Sequence, residues 1–448
     1  MRERTDLRFN FKMSYLKAHR TAAEGVPPKP PRFKPRVGQE HHLPIELEHD
    51  LGPLHLALSG GLVRPLENGL GLRAAATAAH YTLGLMRYEP TDPYPLHRAA
   101  PSPRCLYASE LYYVTWDSAV LRRGIYRYSP VRHTLEEMPL PGEGLLERCL
   151  TGAPQAAHWL LTSVMDRIGY LYGNFSIRLS VLEAGHVISQ LRTVCRALGL
   201  ATTVHPRVGD PELSQWLGEG ETPLALIAPS PPTGSHGLQA APPPPRPWLG
   251  ADLRRTLLRR NSAHGPNGVY PAAITLSGEE ISGLAWYALE EALEDPHSEE
   301  ILRMGLYLVV FHSSDLTPGV YRWRPRERQL EHLFPVSPDE ALARTLFTSE
   351  GFRARQCPVI AVMTADIQGA WRQWREEGYF RALEQAGRVA QRLGLAAAAL
   401  GLFARPAVSL DEAATDRLLR LHLVRETAIY TTLIGKDRER GWPVRMAL

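Results

Sequence analysis

Apolar and polar positions along the chain fall into two stretches of the same kind, separated by a proline-rich break. Each stretch opens with a segment of helical period, residues 70–86 in the first and 278–293 in the second. A short apolar run with strand character follows, Leu111-Tyr-Tyr-Val-Thr or Leu306-Tyr-Leu-Val-Val-Phe, then a turn and a second strand through Gly124-Ile-Tyr-Arg-Tyr or Gly319-Val-Tyr-Arg-Trp. An Ala/Leu-rich helix ends at Leu198-Gly199-Leu200 or Leu400-Gly401-Leu402, where the glycine suits a helix C-terminus. A closing strand completes each half. Strands linked by hairpins and helices grouped in blocks predict an α+β fold, not a doubly wound parallel sheet.

The two stretches are related in sequence. Gly124-Ile-Tyr-Arg-Tyr-Ser-Pro aligns without gaps on Gly319-Val-Tyr-Arg-Trp-Arg-Pro, Ala184-Gly185 on Ala386-Gly387, and Glu221-Thr222 on Glu426-Thr427. The offset grows slowly along the chain, from 195 to 205 residues. Matches in one order at one period are the mark of a tandem duplication. The expected domains are a basic, Pro-rich arm (1–38), a first unit (39–228), a Pro-rich linker (229–247) and a second unit (248–448).

Composition excludes several roles. The 448 residues carry 44% hydrophobic and 22% charged side chains with a net charge of +4, too balanced for a general nucleic-acid or membrane-surface binder. No stretch approaches the ~18 apolar residues of a transmembrane helix, and the charged start Met1-Arg-Glu-Arg does not read as a signal peptide. A cytoplasmic location is expected. Cys105, Cys149, Cys195 and Cys357 form no C-x-x-C pair, so they read as reduced core residues rather than a zinc or disulfide framework.

Two segments carry candidate chemistry, and neither is repeated in the other half. Arg259-Arg260-Asn261-Ser262 offers two guanidinium groups and a hydroxyl for charge-assisted bonds to a phosphate, or forms a solvated surface cluster. Pro101-Ser102-Pro103-Arg104 precedes the first strand, either as a plain turn or as a loop presenting backbone groups to a planar ligand. Glu183 and His186 share a helix face at a spacing that suits metal ligation, but no further ligand is identifiable. Glu183 reads instead as a partner of Arg178, Ala184-Gly185 as a close helix contact, and His186 as structural.

The ordered set of Arg-Arg-Asn-Ser, Pro-Ser-x-x-x-Leu-Tyr, Gly-[Ile/Val]-Tyr-Arg-[Tyr/Trp], Tyr172-Gly-x-x-x-x-Arg178 with Leu-Glu-Ala-Gly-His, and Ala-x-Leu-Gly-Leu resembles the nitroreductase-like FMN flavoproteins, in particular SagB-type peptide dehydrogenases. The resemblance covers about residues 98–228 and 255–436. It implies two nitroreductase-like domains in an intramolecular pseudo-dimer, each an antiparallel sheet flanked by helices. It also implies one composite FMN site: Arg259, Arg260 and Ser262 from the second half on the phosphate, and Pro101 and Ser102 from the first beside the ring. Leu400 and Gly401 join that set, and Lys436 with its neighbour Arg438 supplies a second cationic contact, although Lys436 also reads as a plain surface lysine. The implied activity is oxidation of peptide thiazolines or oxazolines to azoles, with a precursor peptide as substrate and a cyclodehydratase as partner. The implied catalytic pair is Lys-Tyr; here Tyr172 is kept and the lysine is Leu171. Tyr172 is therefore either a proton-transfer residue, with Arg178 or Arg167 as substitute cation, or an aromatic packed at a helix edge. The alternatives are an NAD(P)H-fed nitro or flavin reductase, and a non-catalytic scaffold for a peptide or partner enzyme.

Overall fold

The computed structural model describes residues 40–44, 47–48, 50–58, 71–90, 94–115, 121–139, 144, 157–206, 210–218, 220–230, 245–263, 269–290, 304–348, 352–423, 425–438 and 444–445. The expected N-terminal arm and most of the expected linker lie outside these residues. The first half contributes β1 (Glu40–His42), α1 (Leu54–Leu58), α2 (Leu72–Leu83), β2 (Arg87–Tyr88), β3 (Leu96–His97), β4 (Ser109–Thr115), β5 (Gly124–Ser129), β6 (Thr134–Glu137) and β7 (His158–Val164). It continues with α3 (Asp166–Tyr172), α4 (Phe175–Ala197), β8 (Ala201–Pro206), α5 (Pro211–Leu217) and β9 (Glu221–Ser230), so β9 runs two residues into the expected linker. The second half contributes α6 (Leu253–Arg259), α7 (Gly278–Leu289), β10 (Gly305–Val310), β11 (Gly319–Arg324), β12 (Gln329–Pro335), α8 (Glu340–Leu346) and β13 (Val359–Ala365). Then come α9 (Ile367–Trp374), α10 (Glu376–Ala399), β14 (Phe403–Ala407), α11 (Glu412–Leu418), β15 (Thr427–Gly435) and β16 (Val444–Arg445).

The duplication is visible in the sheets. The first has the order β1-β6-β5-β4-β7-β9-β8 and the second β12-β11-β10-β13-β15-β14, the same path once β1 is set aside. All the pairings within them are antiparallel. Helices cover them, so each half is the α+β unit that the sequence pattern predicts, and Gly199 and Gly401 end their helices at φ +79° and +72°. Both halves share one hydrophobic core.

The halves meet through α4 and α10. In α4 every residue but Ile177 is buried, because the helix lies between its own sheet and the other half. The aligned Ala-Gly pairs cross each other: a Cβ on Gly185 would stand 2.0 Å from the Glu384 carbonyl oxygen, and one on Gly387 would stand 2.2 Å from that of Leu182. Only glycine allows so close a backbone approach. A second reciprocal contact marks the same pseudo-twofold relation, with Leu54 N–H donating to the Ala251 carbonyl at 2.9 Å and Leu253 N–H to that of Gly52 at 3.1 Å. The end of the second half then returns to the first, where β16 pairs with β2 in a small sheet that β3 completes.

Candidate functional site

The two unrepeated segments meet at this boundary. Helix α6 is started by Asp252, whose carboxylate accepts Arg255 N–H at 2.8 Å, and it ends just before Arg260. The two arginines then part: Arg259 is exposed, whereas Arg260 is 5% exposed and turns inward. Its Nη1 donates to Ser262 Oγ at 2.9 Å and its Nη2 to the Arg98 carbonyl at 3.1 Å, three residues before Pro101. Its own carbonyl accepts Arg87 Nη1 at 3.0 Å. Strand β14 clamps the far side, where Ala404 N–H donates to the Asn261 carbonyl and Arg405 Nη1 donates to that of Ser262 at 3.0 Å.

This corner is rich in buried positive charge without matching acceptors. Among the described residues, Arg98 Nε and Nη1 and Arg260 Nε are buried and have no hydrogen-bond partner. Burial, with Arg87 nearby, pushes the Arg260 guanidinium down to about 10, and burial likewise lowers Arg98. Arg98 also lies over the Tyr107 ring, 4.4 Å from its centroid. Unpaired buried donors are costly, and an anion brought to them recovers that cost. The donor set therefore fits a phosphate-bearing cofactor.

The Pro-Ser loop is fixed by the interface helix. Ser102 Oγ donates to Glu183 Oε2 at 2.6 Å and accepts Tyr107 N–H at 2.8 Å, while Glu183 Oε1 accepts Ser109 N–H at 2.9 Å. The expectation that Glu183 pairs with Arg178 is corrected. Arg178 points into the second half, to Glu412 Oε1 at 2.7 Å and the Ile429 carbonyl at 2.6 Å. His186, as expected, is structural: it lies 3.2 Å from Gln391 Oε1 and 3.1 Å from Tyr430 Oη, and burial pushes it down to about 3.

Tyr172 is the last residue of α3 and is half-buried. Its cation is not Arg178, nor Arg167, which is committed to Glu110 and the Tyr107 carbonyl. Arg104 supplies it, hydrogen-bonding both Tyr172 and Tyr94. Burial raises the Tyr172 phenol and Arg104 opposes that rise. Sequence reasoning placed Arg104 in a turn and missed its pairing, because its partner lies 68 positions away and its reach depends on a left-handed φ of +47°.

The remaining expected residues lie on the second half. Leu400 and Gly401 form the C-terminal turn of α10, Gly401 exposed. Lys436 and Arg438 follow β15 and are exposed, and the Lys436 carbonyl accepts Ala272 N–H at 2.8 Å. On α10, Phe380 stands at the repeat position of Arg178. There a shallow pocket is lined by Val181, Ala184, Ile188, Leu224, Phe380 and Arg381 among others. Among the described residues no His/Cys/Asp/Glu group is arranged to hold a metal, and no helix is long and apolar enough to cross a membrane.

Comparison with known proteins agrees with this architecture. Residues 308–436 match the nitroreductase family. A Methanocaldococcus jannaschii protein named as a nitroreductase is 27% identical over 137 residues, which is 29% of this chain and 68% of that one. A crystal structure from Anabaena variabilis, also named as a nitroreductase, superposes with a TM-score of 0.73 at 18% identity and covers 96% of this chain and 99% of that one. The fold common to both spans both halves. The E. coli microcin synthetase complex McbBCD matches at a TM-score of 0.34 and 20% identity, over 40% of this chain and 71% of that one.

Proposed function

We propose that this chain is an FMN-dependent oxidoreductase with one flavin site, and within that class a dehydrogenase that converts peptide thiazolines or oxazolines to azoles. The observation that carries the reading is the joining of segments from opposite halves. Arg260 of the second half hydrogen-bonds the Arg98 carbonyl of the first, beside three unpaired buried guanidinium nitrogens. Arg260 and Ser262 would hold the phosphate, with Arg98 as a further donor, and Pro101, Ser102, Leu400 and Gly401 would border the ring. Lys436 and Arg438, exposed after β15, would supply further cationic contacts. Bound FMN supplies the hydride acceptor, a chemistry no side chain provides.

The chain's own contribution is position and proton transfer. Tyr172, ionised as the phenolate that Arg104 favours, would take the proton from the azoline ring carbon and become the neutral phenol. The non-catalytic scaffold alternative rests on the missing family lysine at Leu171, and Arg104 supports the catalytic reading by placing a different cation beside the tyrosine. The precursor peptide and its cyclodehydratase belong to the same proposal.

The test is flavin stoichiometry. Flavin released by denaturing the purified chain should approach one per chain, and Arg260→Ala should lose it, since each charged hydrogen bond removed costs about 1.5–3 kcal/mol. A ratio near two, or full retention by Arg260→Ala, overturns the composite site.

A further inference from the structure

Cys105 departs from the expectation that every cysteine is core filler. Cys195 and Cys357 are fully buried, but Cys105 is half-exposed at the end of the turn Pro103–Cys105. Its Sγ lies 3.6 Å from Nδ1 of His97 on β3. On the other side of that ring, Nε2 is 3.9 Å from Glu89 Oε2, and Glu89 is itself paired with Arg87 from β2. The sulfur and the imidazole thus stand as nucleophile and base, and the carboxylate lies beyond the ring at a charge-contact rather than hydrogen-bond distance. From the other half, the positive charge of the buried Arg260 lies near enough to act on the thiol. The charged and titratable groups around the thiol include His97 and Glu89, Arg87, Arg260, and Tyr107, whose hydroxyl donates to the Leu96 carbonyl at 3.0 Å and whose ring lies beneath Arg98. Cations outnumber carboxylates there, and cationic surroundings favour the thiolate.

We propose that Cys105 is a nucleophilic thiol, activated by His97, that captures small disulfides and soft electrophiles beside the Pro-Ser loop. In the exchange His97 Nδ1 accepts the Cys105 proton. The thiolate sulfur then attacks one sulfur of a small aliphatic disulfide, the disulfide bond breaks, and the departing thiolate is protonated by the imidazolium. Cys105 is oxidised to a mixed disulfide as the reagent is reduced to one thiol, so electrons and protons balance without a further reactant. The inference stands whether or not the azoline reading holds, because it needs neither flavin nor peptide.

The experiment is alkylation of the full-length chain with iodoacetamide from about pH 5.5 to about pH 9, followed by intact mass and peptide mapping, which separates Cys105 from Cys149. One fast adduct at Cys105 is expected, with half-maximal rate at least about one unit below the ~8.5 of an ordinary thiol. His97→Gln should move that midpoint upward by about one unit and slow the reaction near neutral pH about tenfold. Glutathione disulfide should add one glutathionyl group at Cys105, reversible by dithiothreitol. Cys105 reacting no faster than free glutathione at each pH overturns the proposal, and so does a folded His97→Gln chain with an unchanged profile. The wild-type profile decides the matter alone if that variant does not fold.

Discussion

Ser102 Oγ donates to Glu183 Oε2 at 2.6 Å, and this bond ties the loop ahead of the first sheet to the helix at the centre of the pseudo-dimer. The carboxylate's other oxygen holds Ser109 N–H, so one side chain fixes both the loop and the start of β4. Glu183→Leu removes both acceptors and leaves the buried Ser109 N–H unpaired. Stability should fall by about 2 kcal/mol in denaturant titration, within the 1–3 kcal/mol that an unsatisfied buried group costs. Ser102→Ala removes one donor and should cost about 1 kcal/mol. Amide exchange of residues 101–107 should quicken in both variants, and unchanged exchange in Glu183→Leu removes the residue from loop positioning.

The glycine crossing sets how near the halves approach. Gly185→Ala places a methyl group 2.0 Å from a backbone oxygen, and a backbone cannot yield as a side-chain tip can. The loss should exceed the 1–3 kcal/mol typical of overpacking. Gly387→Ala should match it, since its Cβ meets the equivalent carbonyl at 2.2 Å. In contrast, Gly173→Ala meets no atom within 4 Å and should cost only its backbone strain at φ +52° and ψ −136°, roughly 1–3 kcal/mol. Thermal unfolding of the three variants checks this ranking.

Local and periodic features were legible in the sequence: the repeated strand and helix order, the C-terminal glycines of both long helices, and the Ala-Gly contact. Each rests on spacing within one element or on self-similarity between halves. Pairings across the fold were not legible. Arg178 finds Glu412 234 positions away, and Glu183 finds Ser102 81 positions away, because the crossing of α4 and α10 decides which helix face looks at which half. The inward turn of Arg260 beside an exposed Arg259 depends on where α6 ends. The return of β16 to β2 depends on pairing at a sheet edge, and two residues carry too little pattern to announce it.

His186 should make stability depend on acid. It is buried as the neutral ring, with Nδ1–H facing Gln391 Oε1 and Nε2 facing Tyr430, and burial lowers it from about 6.5 to about 3. Between those values the unfolded chain binds the proton and the folded chain does not. This contribution to stability is therefore complete above about pH 6.5 and is lost as pH falls, by up to about 1.4 kcal/mol per unit and about 2 kcal/mol by about pH 5. His186→Gln carries no such proton. Unfolding free energies of the two chains should converge as pH drops from about 7 to about 5. A constant difference would assign the proton-linked loss to other groups.

Arg104 and Tyr172 should titrate as a pair. Burial raises the phenol, and Arg104, held at φ +47° within hydrogen-bonding reach, is the cation that opposes the rise. Removing the guanidinium therefore leaves burial unopposed. Arg104→Gln should shift the Tyr172 ionisation to higher pH, read as tyrosinate absorbance in difference against Tyr172→Phe, a measurement that needs no substrate. If Tyr172 moves the azoline proton, Tyr172→Phe should keep flavin and fold yet lose about 10²–10⁴-fold in the rate of anaerobic flavin reduction by an azoline peptide. Arg104→Gln should then keep its maximum but reach it at higher pH, because a weaker acid forms its base later. Leu171→Lys places a second cation beside the phenol and should move the same limb the opposite way. A pH–rate profile unchanged by Arg104→Gln, with the tyrosinate titration shifted, would separate the pair's electrostatics from turnover and take Tyr172 out of the chemical step.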